Sequence, residues 1–414
     1  MKYIVIGAGS RGSIYGSWAF ANGIEIAAVA ELRPDRLMEA GKQWNVPQDR
    51  LFTDAEDLFA LGRIANAAII ATMDRDHFGH VMAALDCGYD ILLEKPISPD
   101  PRECLAIEEK ANRLGRKITV CHVLRYTNFF GAIKDIIDSG ELGKIVAIKH
   151  SENIGNFHMA HSFVRGNWRN DTLSSPIIMQ KSCHDLDILL WLTGARCTKV
   201  AAFGSLSYFK ESNAPAGSTE RCVNCPVAPS CRFEAKKCYL PTLGSWPTDV
   251  VCLEQTEAAL DAALESGPYG RCVYRCDNNV CDHMSIIMEF DNEVTATFSL
   301  TAQTSPCHRN IHIMMEDGEI IGDDSQRQIL VRRHVSSNAD TFQERIIHIR
   351  TNASGHGGGD AGIMEDFTAS LSANGQTRSA ISASVESHLM ACAIEKARLT
   401  GTVVALDAFR EALK

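Results

Sequence analysis

The sequence predicts an α/β protein: an N-terminal Rossmann domain with a doubly wound parallel sheet, then a C-terminal α/β domain built on an open, largely antiparallel sheet. Three observations carry this reading. Strand-like apolar runs alternate with helix-like segments through the first third of the chain. A GxGxxG motif directly follows the first of those runs. Late in the chain, strand patterns recur at short spacing with turns rather than helices between them.

The buried-strand runs are KYIVIG (2–7), EIAAVAE (25–31), NAAIIAT (66–72), DILLEK (90–95) and KITVCH (117–122). Strands joined by helices of this length pair in parallel and are covered on both faces. Right-handed crossovers bring their carboxyl ends to one edge, where open α/β sheets take ligands. The expected division is 1–123 for the dinucleotide and 124–414 for substrate and oligomer contacts. Beyond it the pattern predicts a helix over 127–139, a strand at 144–151, a helix over 179–193 and a strand near 198–208. Strands at 283–290, 294–301, 308–315 and 327–333 follow, with EDGE (316–319) as a turn. Helices over 360–372 and 380–399 close the chain. The segment 210–280, rich in cysteine and proline and poor in periodicity, reads as an insertion in the second domain.

A chain of 414 residues calls for two cores rather than one. A net charge of -10 argues against a nucleic-acid partner, which demands a positive surface. No apolar run approaches the ~20 residues of a membrane span. Met1 and Lys2 lead straight into a strand rather than a signal peptide. The expectation is a cytoplasmic protein whose fifteen cysteines are thiols or metal ligands, not a disulfide framework.

In IVIGAGSRG (4–12), Gly7 suits the tight turn, Gly9 lets backbone approach a pyrophosphate, and Gly12 permits close helix–strand packing. Ser10 and Arg11 open the helix whose N-terminus faces the phosphates. Glu31, ending the second strand, suits the adenosine ribose hydroxyls and repels a 2′-phosphate, so NAD is expected. Arg33 and Arg36 follow closely and leave NADP as the alternative.

With EKP (94–96), IIATMDRDH (69–77), VLRY (123–126), HDLDILLWLTG (184–194) and a C-terminal helix carrying His388, the chain resembles the Gfo/Idh/MocA family of oxidoreductases. The resemblance covers nearly the whole chain apart from the cysteine-rich insertion. It implies a NAD(P)-dependent dehydrogenase acting on a sugar, amino sugar or cyclitol, in a homo-oligomer packed through the open sheet. It places Lys95 between the substrate hydroxyl and the nicotinamide, Glu94 and Thr72 along the cofactor, and Met73 and His77 near the nicotinamide. Arg125 of VLRY becomes a substrate contact and His184 the acid/base. The family pattern has an aspartate four residues before that histidine; here Gln180 stands there, with Lys181 beside it.

The chemistry asks for the same parts. Oxidising a carbinol needs a hydride acceptor and a group that takes the hydroxyl proton. Lys95, Lys181 and His184 are the candidates, and on one helix Lys181 and His184 share a face. RGNWRN (165–170) offers Arg165, Asn167 and Trp168 for a sugar face and its hydroxyls, or is an ordinary loop around a packed tryptophan. GHGGGD (355–360) brings His356 to the cleft with Asp360 as helix cap, or is only a connection. In CDNNVCDH (276–283), Asp282 and His283 face substrate or end a turn.

Cys222, Cys225, Cys231 and Cys238 form a CxxC with two further cysteines, read either as ligands of a structural zinc or iron–sulfur cluster or as reduced thiols. The competing function is a NAD-dependent glycoside hydrolase working by oxidation and elimination, because GHGGGD is similar to a glycine-rich motif of that group.

Overall fold

The computed structural model describes residues 1–336, 341–350, 355–372 and 375–414. The first sheet contains β1 (Lys2–Ile6), β2 (Glu25–Ala30), β3 (Leu51–Phe52), β4 (Ala67–Ile70), β5 (Asp90–Leu93) and β6 (Ile118–Val120). Its order is β3-β2-β1-β4-β5-β6 and every pairing is parallel. The order reverses at β1, which puts a crevice outside the carboxyl ends of β1 and β4. The strands are apolar on both faces because helices cover both.

The second sheet contains β7 (Ile145–Asn153), β8 (Cys197–Ser205), β9 (His283–Phe290), β10 (Thr295–Thr301), β11 (His308–Met315), β12 (Gly318–Asp323), β13 (Gln328–His334), β14 (Phe342–His348) and β15 (Val404–Ala405). The order is β14-β13-β12-β11-β7-β10-β9-β8-β15, antiparallel except for β7 against β10. β9 and β10 alternate strictly between buried and exposed residues, so one face packs on helices and the other stays open. The short β3 and the strands β12 and β14 escaped the sequence pattern.

Two differences matter for the site. The helix expected over 179–193 is broken into Ile177–Gln180 and Cys183–Thr193, so Lys181 and Ser182 lie between helices rather than on one face with His184. The helix Gly359–Ser372, far along the chain, packs on the first sheet: Ile363, Met364 and Phe367 join Tyr3, Val5, Tyr15 and Leu92 in one buried cluster. The Tyr3 hydroxyl lies 2.9 Å from that of Thr368. Among the described residues no helix is long and apolar enough to cross a membrane.

Candidate active site

The glycine loop sits between β1 and the helix Ser10–Ala21. Gly7 has a φ of +88°, and a Cβ there would lie 2.7 Å from the Ala71 carbonyl oxygen. At Gly12 a Cβ would overlap the Gly7 carbonyl oxygen at 1.8 Å. At Gly9 a Cβ would meet no protein atom within 4 Å. Packing therefore explains two of these glycines, and open space in front of the helix N-terminus, fit for a pyrophosphate, accounts for the third. No acidic side chain occupies that helix's first turn. Glu31 accepts the Ala8 N–H at 2.7 Å and the Arg33 N–H at 3.0 Å, which fixes its carboxylate beside the loop. Arg33 turns to Asp35 at 2.6 Å. These residues fit a dinucleotide.

Arg11, in the first turn of helix Ser10–Ala21, is held by two carboxylates. Its guanidinium bonds Glu94 at 2.8 Å and Asp360 at 2.6 Å and donates to the Tyr15 hydroxyl. His356 faces the same Asp360 carboxylate at 3.1 Å. GHGGGD thus closes over the glycine loop through a cation that both sides share. Asp360 lies within the first turn of its helix and is not its cap. Burial alone would raise the pKa of Glu94, but Arg11 and then Lys95 outweigh it and hold the group below its usual value.

EKP leaves β5 at its carboxyl end. The Lys95 ammonium donates to the Gln180 carbonyl oxygen at 2.9 Å, bridging the two halves. The His388 Nε2 accepts the Ile97 N–H at 2.8 Å, which anchors the segment just past Lys95. His77, expected at the nicotinamide, is instead fully buried with both ring nitrogens on main-chain carbonyls, Pro96 at 2.7 Å and Thr72 at 3.2 Å. It braces the loop through those two carbonyls. Thr72 contacts the His80 ring at 3.0 Å beside the glycine turn, and Met73 is partly exposed there.

His184 lies in this crevice, buried, with Nδ1 lacking any hydrogen-bond partner among the described residues. Burial first, then the Lys95 ammonium and His122, push its pKa well below the ordinary histidine value, so the ring is neutral. The His122 ring meets it edge-on at 5.7 Å. Lys181 pairs with Glu152 of β7 at 3.1 Å. Glu152 also pairs with Arg309, which bonds Asp185 at 2.7 Å, and Asp185 meets His150 at 2.8 Å. In place of the family's aspartate, Gln180 turns its amide group to Ser174 and Ser175, at 2.6 Å from the Ser175 carbonyl.

Sequence reasoning missed Glu152, His122 and His158. His158 has its pKa depressed by burial and then by Lys181, with Lys95 also near. Trp246 of the insertion stands edge-on to His158 at 5.2 Å. Only the three-dimensional return of β7 and of the insertion reveals these neighbours.

Several expected contacts are corrected. Arg125 is buried and bidentate to Asp187 at 2.6 and 2.7 Å, with a third bond to the Arg378 carbonyl, so it clamps helix Cys183–Thr193 instead of meeting substrate. Arg165 is buried the other way, donating to the Arg271 and Phe233 carbonyls at 2.7 Å each. Trp168 packs beside Phe163 at 6.2 Å and Asn167 is exposed; neither has a described contact with Lys95 or His184. Asp282 accepts the Ser207 and Tyr208 N–H groups, ending a turn. Cys238 points its thiol at the Arg232 carbonyl oxygen at 3.7 Å. All fifteen cysteines are free, and among the described residues no three ligating side chains are closed into a metal-binding geometry.

Residues 1–122 match the family model described as "Oxidoreductase family, NAD-binding Rossmann fold", and residues 134–406 match "Oxidoreductase family, C-terminal alpha/beta domain". The chain is 22% identical to YteT of Bacillus subtilis, an oxidoreductase by name, over 84% of this chain and 83% of that one. It is 28% identical to an inositol 2-dehydrogenase of Corynebacterium glutamicum over 47% of this chain, spanning about half (55%) of that relative's length. Scyllo-inositol dehydrogenase from Lactobacillus casei, solved with NAD(H) and scyllo-inositol, shares the fold at a TM-score of 0.68 and 18% identity, covering 98% of this chain and 99% of that one.

Proposed function

The chain belongs to the Gfo/Idh/MocA oxidoreductase family, and from that premise we propose that it is a NAD-dependent dehydrogenase oxidising a hydroxyl of a cyclitol, sugar or amino sugar. The observation that carries the proposal is the meeting of a neutral His184, whose Nδ1 has no hydrogen-bond partner among the described residues, with Lys95 at the carboxyl edge of the first sheet, in front of the glycine loop. Inositol dehydrogenases among the relatives support the substrate class.

NAD, held by Gly7, Gly9, Ser10, Gly12, Glu31 and Thr72, supplies the hydride acceptor when bound. Every other requirement falls to the chain. The neutral His184 ring takes the hydroxyl proton; a charged imidazole has no lone pair for it. The Lys95 ammonium hydrogen-bonds the same oxygen and favours its anionic form as the proton leaves. Lys181, fixed by Glu152, meets a neighbouring hydroxyl and turns the sugar ring. Closure of the two halves through Lys95 and Gln180 excludes water.

A panel of cyclitols, sugars and aryl glycosides, incubated with NAD and with NADP and followed by nicotinamide absorbance, tests this reading. Substrate-dependent reduction by a polyol supports it. Release of the aryl group from glycosides without net cofactor reduction would replace it with the glycoside-cleaving alternative, for which the Arg11–Asp360 closure over the loop is the favouring feature.

A further inference from the structure

The insertion builds a small apolar core that presents one tryptophan. Ala235, Tyr239, Leu260 and Leu264 are buried together, and Phe157, from the segment that follows β7, packs against them. The loop carrying Trp246 is clipped to this core. The Thr248 hydroxyl donates to the Tyr239 carbonyl at 2.6 Å and lies 2.8 Å from the Thr242 hydroxyl. The Ser245 N–H donates to the Thr242 carbonyl at 3.0 Å. Phe157, His158 and His161 meet the indole nearly perpendicular, at 6.4, 5.2 and 5.4 Å between ring centroids. Among the described residues no aromatic ring stacks on the indole and its N–H has no hydrogen-bond partner, while Trp246 stays 47% exposed. An indole fixed in advance offers a flat surface to a ligand with little rotamer freedom left to lose.

Trp246 stands at the outer end of the cleft. β7 ends at Asn153, one residue past Glu152, which holds Lys181. The chain then turns on Thr304, whose hydroxyl and carbonyl accept the Gly155 and Asn156 N–H groups at 3.2 and 3.0 Å. That turn sets His158 just beyond Glu152. Burial first, then the ammonium of Lys181, with Lys95 also acting, keep the His158 ring neutral. Its nitrogens have no hydrogen-bond partner among the described residues, so one N–H and one lone pair are free for a hydroxyl. Exposure rises outward along this line, from His184 at 8% through the half-buried His158 to Trp246. Among the described residues Trp246 has no hydrogen bond, ion pair or ring contact with Lys95, Lys181 or His184. A ring whose carbinol lies against Lys95 and His184 therefore meets His158 and leaves the indole to whatever extends from it.

Resting on the dehydrogenase reading above, we propose that His158 and Trp246 form a second subsite and that the substrate is a glycoside of two rings. The reacting ring is held by Lys95, Lys181 and His184, and the second ring lies on the Trp246 indole. His158 bonds a hydroxyl near the junction of the two. The apolar C–H face of a pyranose suits an indole, and the indole N–H suits one of its hydroxyls. A free cyclitol has no second ring to place there, so the subsite favours the glycoside over it.

The test compares NAD reduction by the full chain on glucose, galactose and N-acetylglucosamine with that on cellobiose, lactose and chitobiose. For a sugar that is oxidised, the two-ring form is expected to exceed its single-ring parent by about tenfold in kcat/KM. Trp246→Ala should bring that ratio toward one, and Trp246→Phe should keep most of it. Equal kcat/KM for the two forms in the wild type, or a loss in Trp246→Ala that falls equally on both, overturns the subsite and leaves the dehydrogenase reading standing. If no sugar is oxidised, calorimetric titration of the same sugars into the NAD-loaded protein decides. A disaccharide bound more tightly than its parent, with the difference lost in Trp246→Ala, supports the subsite although the dehydrogenase reading fails. A disaccharide bound no more tightly than its parent, or not bound, overturns it. If Trp246→Ala does not fold, indole fluorescence replaces it: a change on adding disaccharide that disappears in Trp246→Phe supports the subsite, and a change that persists overturns it.

Discussion

The Lys95 ammonium reaches across the cleft to the main-chain carbonyl of Gln180 at 2.9 Å, so a side chain from the first sheet's edge is held by the backbone of the other half. Substituting the Gln180 side chain therefore leaves this bridge intact, whereas Lys95→Ala removes it together with the donor proposed for substrate. Lys95→Ala is expected to lower kcat by ~10²–10⁴ and to raise KM, with NAD affinity by calorimetry nearly unchanged. A cofactor affinity that collapses with kcat would place Lys95 in cofactor binding alone.

His184→Ala is expected to lower kcat by ~10²–10⁴ with little change in KM. Because burial and Lys95 depress its pKa, the ring stays neutral below the ordinary histidine value, and the acid limb of the wild-type kcat profile falls below pH ~6.5. A limb at or above that value would assign the proton to another group.

Glu31 is pinned by two main-chain N–H donors, and Arg33 is paired to Asp35, so the charge facing a 2′-phosphate is negative. NAD should bind more tightly than NADP, and Glu31→Ala should narrow the gap. Calorimetric titration with both cofactors checks this; equal affinities in the wild type contradict it.

Arg125 and Asp187 form a buried bidentate pair, and removing one partner leaves a bare charge inside. Arg125→Met is expected to destabilise the fold by about 3–5 kcal/mol. Denaturant unfolding measures it. A variant of unchanged stability with a raised KM would return Arg125 to the substrate.

Buried histidines also set a pH limit. Burial lowers His122 to about 4 and His388 to about 3, while the unfolded chain titrates near ~6.5. Below that upper value the unfolded state binds the extra protons, so stability falls as pH drops toward 4 and does not recover. Each histidine costs on the order of 1 kcal/mol per pH unit in this window. Thermal unfolding at pH 7.5 and 5.5 should show the lower midpoint at 5.5; His388→Gln should narrow that difference.

The dinucleotide loop was legible because its constraints are local: Gly7 and Gly12 answer to neighbouring backbone, and Glu31 lies one strand away. The strands β9, β10 and β11 were legible because half-buried strands alternate. What failed depended on distant partners. Arg125 and Arg165 are arginines in promising motifs, yet Asp187 and the carbonyls of the insertion claim them. Helical periodicity runs through Lys181 without signalling the break there, and the lysine's partner, Glu152, lies far away in sequence.

The return of helix Gly359–Ser372 to the first sheet has a consequence for synthesis. Until that helix has been made, Tyr3, Val5 and Tyr15 lack the part of their apolar cover that Ile363, Met364 and Phe367 supply. The nascent dinucleotide half thus waits, sticky on one side, through translation of the entire second sheet, and a fragment ending near residue 123 should aggregate rather than fold.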